Sequence, residues 1–129
     1  RYGLVGSEMC IRDSYRHDRV EKPETSLKTI KIKKNMAWCD DVSNKKFYNK
    51  ITNLSKKVKS EKLFRKDYKY DYLIPIKYNW INPKIPKGSA IFLHLTKNYK
   101  STNGCIAMMK KDFLILLKLI KKNTKIQIL

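Results

Sequence analysis

The sequence predicts a mostly β domain with a minor α part, and three stretches carry this prediction. Tyr70–Asn79 is rich in Tyr, Ile and Leu, and Ser89–Leu95 is a short apolar run typical of a buried strand. Lys110–Lys121 has helical periodicity, with its apolar face at Phe113, Leu116, Leu117 and Ile120. At 129 residues, the chain has room for one domain with a modest core.

The first half of the chain carries weaker signals. Tyr15–Ser26 is charged and contains Pro23, so we expect a loop. Leu27–Lys33 alternates only in part and predicts a weak strand. Asn35–Asn44 combines Trp38 with turn-forming residues, which predicts a loop held by an aromatic anchor.

A helix is predicted after this loop, because apolar residues recur at spacings of four, three and four: Phe47, Ile51, Leu54 and Val58. Ser60 is placed to cap a further short turn that reaches Arg65.

Turn-forming residues separate the elements predicted in the second half of the chain. Pro75 implies that its strand is an edge strand or contains a bulge. Trp80–Gly88 and Lys97–Gly104 predict loops. Asn123 predicts the end of the helix, and the alternation in Lys125–Leu129 predicts a closing strand.

The N-terminal segment has an unusual sequence. Leu4–Ser14 resembles the translation of a sequencing adapter, so we expect residues 1–14 to be foreign and residues 15–129 to form the domain. No signal peptide is visible, and we expect the true N-terminus, with any export signal, to be missing. The domain is therefore expected to be N-terminally truncated, with a core that is open on one side.

The net charge of +19 raises the hypothesis of a basic module that binds nucleic acid or another polyanion. Most of this charge is lysine, however, and Arg16, Arg19 and Arg65 are the only arginines after residue 14. Lysine, isoleucine, asparagine and tyrosine have AT-rich codons, so base composition explains much of the charge. Nucleic acid is therefore not an expected partner. The longest purely apolar run, Phe113–Leu117, is too short to cross a bilayer.

The candidate catalytic residues are His94 and Cys105, which flank one polar loop. Only a thiolate attacks a carbonyl, so a reactive cysteine needs a base such as imidazole. Gly104 permits a backbone turn that exposes the thiol and aligns N–H groups as an oxyanion hole. The helix that follows is expected to lower the pKa of the thiol further. An inert buried cysteine, or a disulfide with Cys39, remains an alternative. The cysteine spacing matches no zinc site.

Two segments together carry a family resemblance: Gly88–His94, and Ser101–Ala107 with its Thr-Asn-Gly-Cys. They resemble the signature of the L,D-transpeptidase (YkuD, or ErfK/YbiS/YhnG) family, and most closely a branch of small proteins. Further similar segments lie upstream: Trp38–Asp41, Tyr48–Asn49, Ser60–Leu63, Arg65–Asp67 and Tyr78–Asn79. The likeness covers roughly residues 15–129. It implies a β-sandwich of mixed sheets with the nucleophile loop and the C-terminal helix packed against it.

The resemblance also implies the chemistry. Cys105 would attack the carbonyl between diaminopimelate and a terminal D-alanine of a peptidoglycan stem peptide, forming a thioester. His94, oriented by a backbone carbonyl, would act as base, and the N–H groups of Gly104 and Cys105 would hold the oxyanion. A second stem peptide would then accept the acyl group, giving a 3→3 cross-link. No cofactor or metal is implied, and the expected location is the bacterial cell envelope.

Three departures from the family pattern concern the substrate. Asn103 replaces a frequent histidine, and Ala107 replaces a frequent arginine, so Arg65 or a lysine is a candidate to hold the substrate carboxylate. The usual upstream Thr-Pro-x-Gly-x-Phe element does not occur. The candidate substrate-binding residues, several of which have packing as the alternative role, are Thr102, Asn103, Arg65, Trp38, Tyr78 and Asn79.

Two other functions stay open on sequence grounds. An L,D-carboxypeptidase or endopeptidase would use the same nucleophile with water as acceptor. A non-catalytic basic binding module would need neither His94 nor Cys105.

Overall fold

A computed structural model describes residues 7–9, 13–76, 83–85, 89, 91–97, 105–121 and 124–127. These residues form strands and one helix in the following order along the chain: β1 (Ser7–Met9), β2 (Asp13–Tyr15), β3 (Thr29–Lys31), β4 (Met36–Cys39), β5 (Ile51–Asn53), β6 (Ser60–Lys62), β7 (Tyr72–Pro75), β8 (Phe92–Leu95), β9 (Ile106–Met108), α1 (Lys110–Leu119) and β10 (Lys125–Gln127).

The strands form a mixed five-stranded sheet and two smaller antiparallel sheets. The five-stranded sheet has the order β3-β2-β7-β8-β9, with parallel pairs at its two edges, β2–β3 and β8–β9. A three-stranded sheet has the order β5-β4-β6, and β1 pairs with β10. The predicted mostly β architecture of mixed sheets is therefore confirmed.

Two apolar cores lie on opposite faces of the five-stranded sheet. Successive residues of a strand point to opposite faces. In β8, Leu93 and Leu95 join the core that includes Phe113 and Leu117 of α1. Phe92 belongs instead to the second core, which also contains Trp38 of β4. The five-stranded sheet is therefore covered by the helix on one face and by the three-stranded sheet on the other.

The predicted C-terminal helix is confirmed as α1. Phe113 and Leu117 are one turn apart and fully buried, while Ile120 is buried just beyond the helix end. The Ser26 hydroxyl donates a 2.9 Å hydrogen bond to the Ile120 carbonyl, which satisfies one of the acceptors left at a helix end. The strands predicted within 27–33, 70–79, 89–95 and 125–129 are confirmed as β3, β7, β8 and β10.

The helix predicted from Phe47 to Val58 is wrong. Asn49 adopts a left-handed backbone (φ 56°), which reverses the chain, and residues Ile51–Asn53 form β5 against β4. Asn49 also accepts a 2.9 Å hydrogen bond from Nε1 of Trp38 across the hairpin. Asparagine tolerates this backbone region better than most residues do, so a single residue overrides the helical spacing.

Two neighbouring predictions are also wrong. Residues Met36–Cys39 form β4 in the centre of the three-stranded sheet, not a loop, because Ala37, Trp38 and Cys39 are all buried. Ser60 caps no helical turn, since it begins β6, which pairs with β4. Both segments are too short to show periodicity, and pairing with distant residues decides their structure.

Pro75 does not mark an edge strand, because β7 lies inside the five-stranded sheet. It is the last residue of β7, beyond the described pairs with β2, which involve Leu73 and Tyr72. A proline at a strand end removes no donor from the middle of the ladder. The loops predicted at 80–88 and 97–104 fall largely outside the described residues, and the expectation that residues 1–14 are foreign stays a prediction.

Candidate active site

His94 and Cys105 lie on the same face of neighbouring parallel strands. β8 and β9 pair Leu93 with Ile106 and His94 with Ala107, so Cys105, the residue just before β9, lies beside Phe92. Because side chains alternate, Phe92, His94 and Cys105 all point to the face of the second core. Diagonal neighbours on adjacent strands have Cα atoms roughly 7–8 Å apart, so the imidazole and the thiol occupy one region of that face.

The His94 imidazole is buried, with 7% of its surface exposed, and a backbone carbonyl orients it. Its Nδ1 lies 2.9 Å from the carbonyl oxygen of Leu95. A carbonyl can only accept a hydrogen bond, so Nδ1 carries a proton, and in the neutral ring the lone pair is then on Nε2. The neutral ring is thereby held in the tautomer that can accept a proton at Nε2.

The Cys105 thiol is half-buried and needs a base in order to react. Burial raises the pKa of the thiol, a backbone hydrogen bond from Phe92 acts in the opposite direction, and the charge of Glu61 raises the pKa again. The prediction that the following helix lowers this pKa is wrong. Strand β9 separates Cys105 from α1, which begins at Lys110. The resting side chain is therefore the thiol, which is a weak nucleophile.

Tyr70 is a site residue that sequence reasoning missed. Its ring packs edge-on against the His94 imidazole at 5.6 Å between centroids, and against Phe92 at 5.7 Å. Its hydroxyl donates a hydrogen bond to Glu61 of β6. Burial raises the pKa of Tyr70, and the Glu61 carboxylate raises it further, so the hydroxyl stays protonated and remains a donor. Tyr70 precedes β7 of the five-stranded sheet, whereas Glu61 lies in the three-stranded sheet, so no local sequence pattern predicts their contact.

Arg65 lies at the margin of this site. Its guanidinium carbon is 5.1 Å from the centroid of the Tyr70 ring, on the aromatic face. Two hydrogen bonds of 2.9 and 2.6 Å hold the guanidinium against Asp67. This ion pair raises the pKa of Arg65 and lowers the pKa of Asp67 to about 2. The positive charge of Arg65 is therefore held in place beside Tyr70, the ring that packs against His94.

Comparison with known proteins identifies the family. A family model for the L,D-transpeptidase catalytic domain, YkuD, matches residues 6–128, which is nearly the whole chain. The chain belongs to the YkuD family. No curated protein and no solved structure matches it. Membership assigns the chain an L,D-transpeptidase-type activity in broad terms, with peptidoglycan as the substrate of the family and the cell envelope as its usual location.

The other residues predicted for this YkuD domain fall into two groups. Trp38 is 5% exposed and packs edge-on against Phe92 at 5.4 Å, so it forms part of the second core. The remaining predicted residues lie outside the described part of the structure: Thr102, Asn103, Gly104, Tyr78 and Asn79.

The second thiol of the domain has a different environment. Cys39 is fully buried in β4, and burial raises the pKa of its thiol. Both Cys39 and Cys105 are thiols, so the alternative of a disulfide between them does not hold. Cys39 lacks a route to a substrate, whereas Cys105 is partly exposed.

Within the described ranges, no group of three or more His, Cys, Asp or Glu side chains is arranged to hold a metal ion. The helix in the same part of the chain is not long and apolar enough to span a bilayer.

Proposed function

We propose that this domain is a peptidoglycan L,D-transpeptidase that forms 3→3 cross-links through a thioester on Cys105, with His94 as the base. The observation that supports the proposal best is the shared face of β8 and β9, on which a tautomer-fixed imidazole and a protonated thiol are diagonal neighbours. Family membership supports the reaction class.

In the proposed acylation, Nε2 of His94 takes the proton from Sγ of Cys105. The thiolate attacks the carbonyl of the bond between diaminopimelate and D-alanine, and the carbonyl oxygen becomes an oxyanion. The backbone N–H groups of Gly104 and Cys105 are the proposed donors to that oxyanion. When the C–N bond breaks, His94 returns the proton to the nitrogen of D-alanine, which leaves as a neutral amine.

In the proposed second half-reaction, an amine of another stem peptide attacks the thioester. His94 accepts the proton that the amine loses, the C–S bond breaks, and the proton returns to the sulfur of Cys105. Water in place of the amine would give hydrolysis, the reaction of an L,D-carboxypeptidase. The burial of His94 favours an acceptor that displaces water from this face, which is why we propose transfer rather than hydrolysis.

The experiment is incubation of the protein with disaccharide-tetrapeptide fragments, followed by mass spectrometry. Transfer predicts dimers with 3→3 linkage and release of D-alanine, and Cys105→Ala abolishes both. A carbapenem, a β-lactam that acylates nucleophilic thiols, is expected to add its mass to Cys105. Cys39→Ala is the matched control, because it removes the other described thiol and is expected to leave the adduct intact. If tripeptide monomers form without dimers, the activity is hydrolysis and not transfer. If neither a product nor a carbapenem adduct forms, both activities are refuted.

A further inference from the structure

The outer face of α1 exposes large apolar side chains to solvent. Ile115 is 50% exposed and Leu119 is 71% exposed. The two residues lie one helical turn apart on the same side of α1. Each is two residues from the buried Leu117, which places it roughly 200° around the helix from that residue. Packing inside the domain therefore does not explain why these positions are apolar.

Lysines border this apolar face. Lys111 lies one turn before Ile115, and Lys118 lies one turn after it; both are exposed. With three lysines and Asp112 among its ten residues, α1 has a net charge of +2. Apolar side chains bordered by lysines are typical of a helix that lies in a membrane interface, where lysines contact lipid phosphates and the apolar side chains enter the acyl region.

A cavity of about 520 Å³ opens beside the first turn of the same helix. Its lining combines apolar or aromatic side chains with lysines: Tyr68, Leu95 and Met109, and Lys97, Lys110 and Lys111. The ammonium of Lys97 lies 4.7 Å from the centroid of the Tyr68 ring. Asp71 also lines the cavity, but its carboxylate accepts a 2.7 Å hydrogen bond from Arg19. Apolar walls beside several cations fit an amphiphile with an anionic headgroup.

The charge of the chain selects among the possible partners of this face. A second copy is disfavoured, because each copy carries a net charge of +19 and two copies repel each other. A nucleic acid would be attracted by the lysines, but its phosphates offer nothing to Ile115 and Leu119. An anionic lipid surface matches both features, since it presents phosphates to the lysines and acyl chains to the apolar side chains.

A second group of exposed apolar residues provides a comparison: Val42, Ile51 and Leu54 are 60%, 50% and 45% exposed. These residues lie in or next to strands of the three-stranded sheet, which covers the opposite face of the five-stranded sheet from α1. Val42 directly follows Asp40 and Asp41, whose carboxylates would repel an anionic surface. Charge therefore favours the α1 side for contact with anionic lipid.

We propose that the outer face of α1 docks this domain on an anionic phospholipid bilayer. Ile115 and Leu119 enter the acyl region, and the ammonium groups of Lys111 and Lys118 contact the lipid phosphates. The helix lies in the interface and does not cross the bilayer.

Docking also sets the orientation of the candidate active site. α1 packs with Leu93 and Leu95 of β8 on one face of the five-stranded sheet, whereas His94 of the same strand points to the other face. The docked domain thus presents His94 and Cys105 on the side away from the lipid, where a polymer outside the membrane can reach them. Neither residue takes part in docking, so a failure of the docking proposal would leave the proposed function standing.

The first test is co-sedimentation of the full chain with lipid vesicles. Vesicles of equal parts phosphatidylglycerol and phosphatidylcholine are compared with vesicles of phosphatidylcholine alone, and we expect binding to the anionic vesicles only. The double variant Ile115→Ser, Leu119→Ser is expected to bind them about ten-fold more weakly, because it removes the apolar side chains that enter the lipid. The matched control Ile51→Ser, Leu54→Ser also replaces one exposed isoleucine and one exposed leucine, and its affinity is expected to stay within about two-fold.

Equal losses in these two double variants, or no loss in the α1 variant, would overturn the proposal. Absence of binding to the anionic vesicles would overturn it as well. Circular dichroism and the urea unfolding midpoint check that each variant is folded.

A lysine variant keeps the proposal testable if the serine substitutions unfold the helix. Lys111→Gln, Lys118→Gln is expected to weaken binding to the anionic vesicles about ten-fold, and Lys45→Gln, Lys57→Gln, which removes two exposed charges elsewhere, is expected to stay within about two-fold. Equal losses in the two lysine variants would show that general charge attraction, and not the α1 face, binds the lipid. Binding of a single-stranded oligonucleotide with greater affinity than the anionic vesicles would assign the face to nucleic acid instead.

The second test locates the face that enters the lipid. Leu119→Cys and Ile51→Cys are labelled separately with a nitrobenzoxadiazole fluorophore in a chain that also carries Cys10→Ser and Cys105→Ser. Cys39 is fully buried and stays in place. On addition of anionic vesicles, the label at position 119 is expected to brighten and to emit at shorter wavelength, while the label at position 51 stays unchanged. Equal responses at both positions, or a response at position 51 alone, would refute docking through α1.

Discussion

Tyr70 packs edge-on against the imidazole of His94, with 5.6 Å between the ring centroids and an interplanar angle of 68°. The hydroxyl of the same tyrosine is held by Glu61, which belongs to the other sheet. The Leu95 carbonyl thus fixes the imidazole at Nδ1. The Tyr70 ring, which is itself held by Glu61, packs against one side of the imidazole. Tyr70 is a positioning residue in this arrangement, because it acts through His94.

Replacing the ring tests that role. Tyr70→Leu lets the imidazole move, and a displacement of about 1 Å is expected to lower the rate of Cys105 acylation about a hundred-fold. Tyr70→Phe keeps the ring but leaves Glu61 without its donor, so it is expected to lower the free energy of unfolding by about 1–3 kcal/mol with a smaller effect on rate. Carbapenem acylation rates and urea unfolding measure the two effects.

The matched control is Tyr68→Leu, because Tyr68 is partly buried against the other core. If Tyr68→Leu slowed acylation as much as Tyr70→Leu, the loss would reflect general destabilisation. If Tyr70→Leu acylated at the normal rate, the positioning role would be refuted.

Glu61 provides a test of the thiol pKa. Burial is the larger cause of the raised pKa of Cys105, and the Glu61 charge raises it further. Glu61→Gln removes that charge, so the thiol pKa is expected to fall and the thiolate to form at lower pH. The pH dependence of iodoacetamide alkylation, measured at Cys105 by mass spectrometry, is expected to shift to lower pH. A shift to higher pH, or an equal shift in an exposed-site variant such as Glu24→Gln, would contradict this account.

That His94 and Cys105 lie close to each other could be predicted because the information is local. The two residues flank one loop, and the buried run before His94 identifies β8. Helix α1 was predictable for the same reason, since its buried residues Phe113 and Leu117 repeat with the helical period.

The three-stranded sheet could not be predicted from local pattern. Its strands have three or four residues each, too few to show a period. Their structure depends on pairing with each other and on the left-handed backbone of Asn49. Tyr70 and Glu61 were missed for the same reason, because their contact exists only once that sheet packs over β7 and β8. The segment Ser60–Leu63, which contains Glu61, resembles the family, but nothing in the sequence indicated that Tyr70 is the partner of Glu61.

Asn49 allows the hairpin to be tested directly. Its positive φ costs most residues roughly 1–2 kcal/mol, and its side chain accepts a hydrogen bond from Trp38. Asn49→Ala is expected to lose both contributions, about 2–3 kcal/mol of unfolding free energy. Asn49→Gly is expected to lose only the hydrogen bond, about 1 kcal/mol, because glycine adopts positive φ without strain. Equal losses in the two variants, measured by urea unfolding, would show that backbone conformation does not contribute.

The side chain of Asp13 is fully buried in β2, on the same face as Tyr15, which belongs to the helix-side core. Among the described residues, neither carboxyl oxygen of Asp13 has a hydrogen-bond partner, and burial raises the pKa of Asp13 to about 8. A raised folded-state pKa means that the folded chain binds the proton more tightly than the unfolded chain does. The contribution of Asp13 to the free energy of unfolding is therefore largest below about pH 4 and declines by about 1.4 kcal/mol per pH unit up to about pH 8.

Asp13→Val removes the buried carboxyl, so it is expected to raise the free energy of unfolding at pH 8 and to flatten its decline between pH 4 and 8. Urea unfolding across this range measures both effects, and Glu24→Gln is the control because Glu24 is exposed. Such a gain would also support the prediction that residues 1–14 are foreign, since a native strand at this position presents an apolar side chain to the core. If Asp13→Val were destabilising at every pH, the carboxyl would have an unrecognised partner, and that support for a foreign origin would be lost.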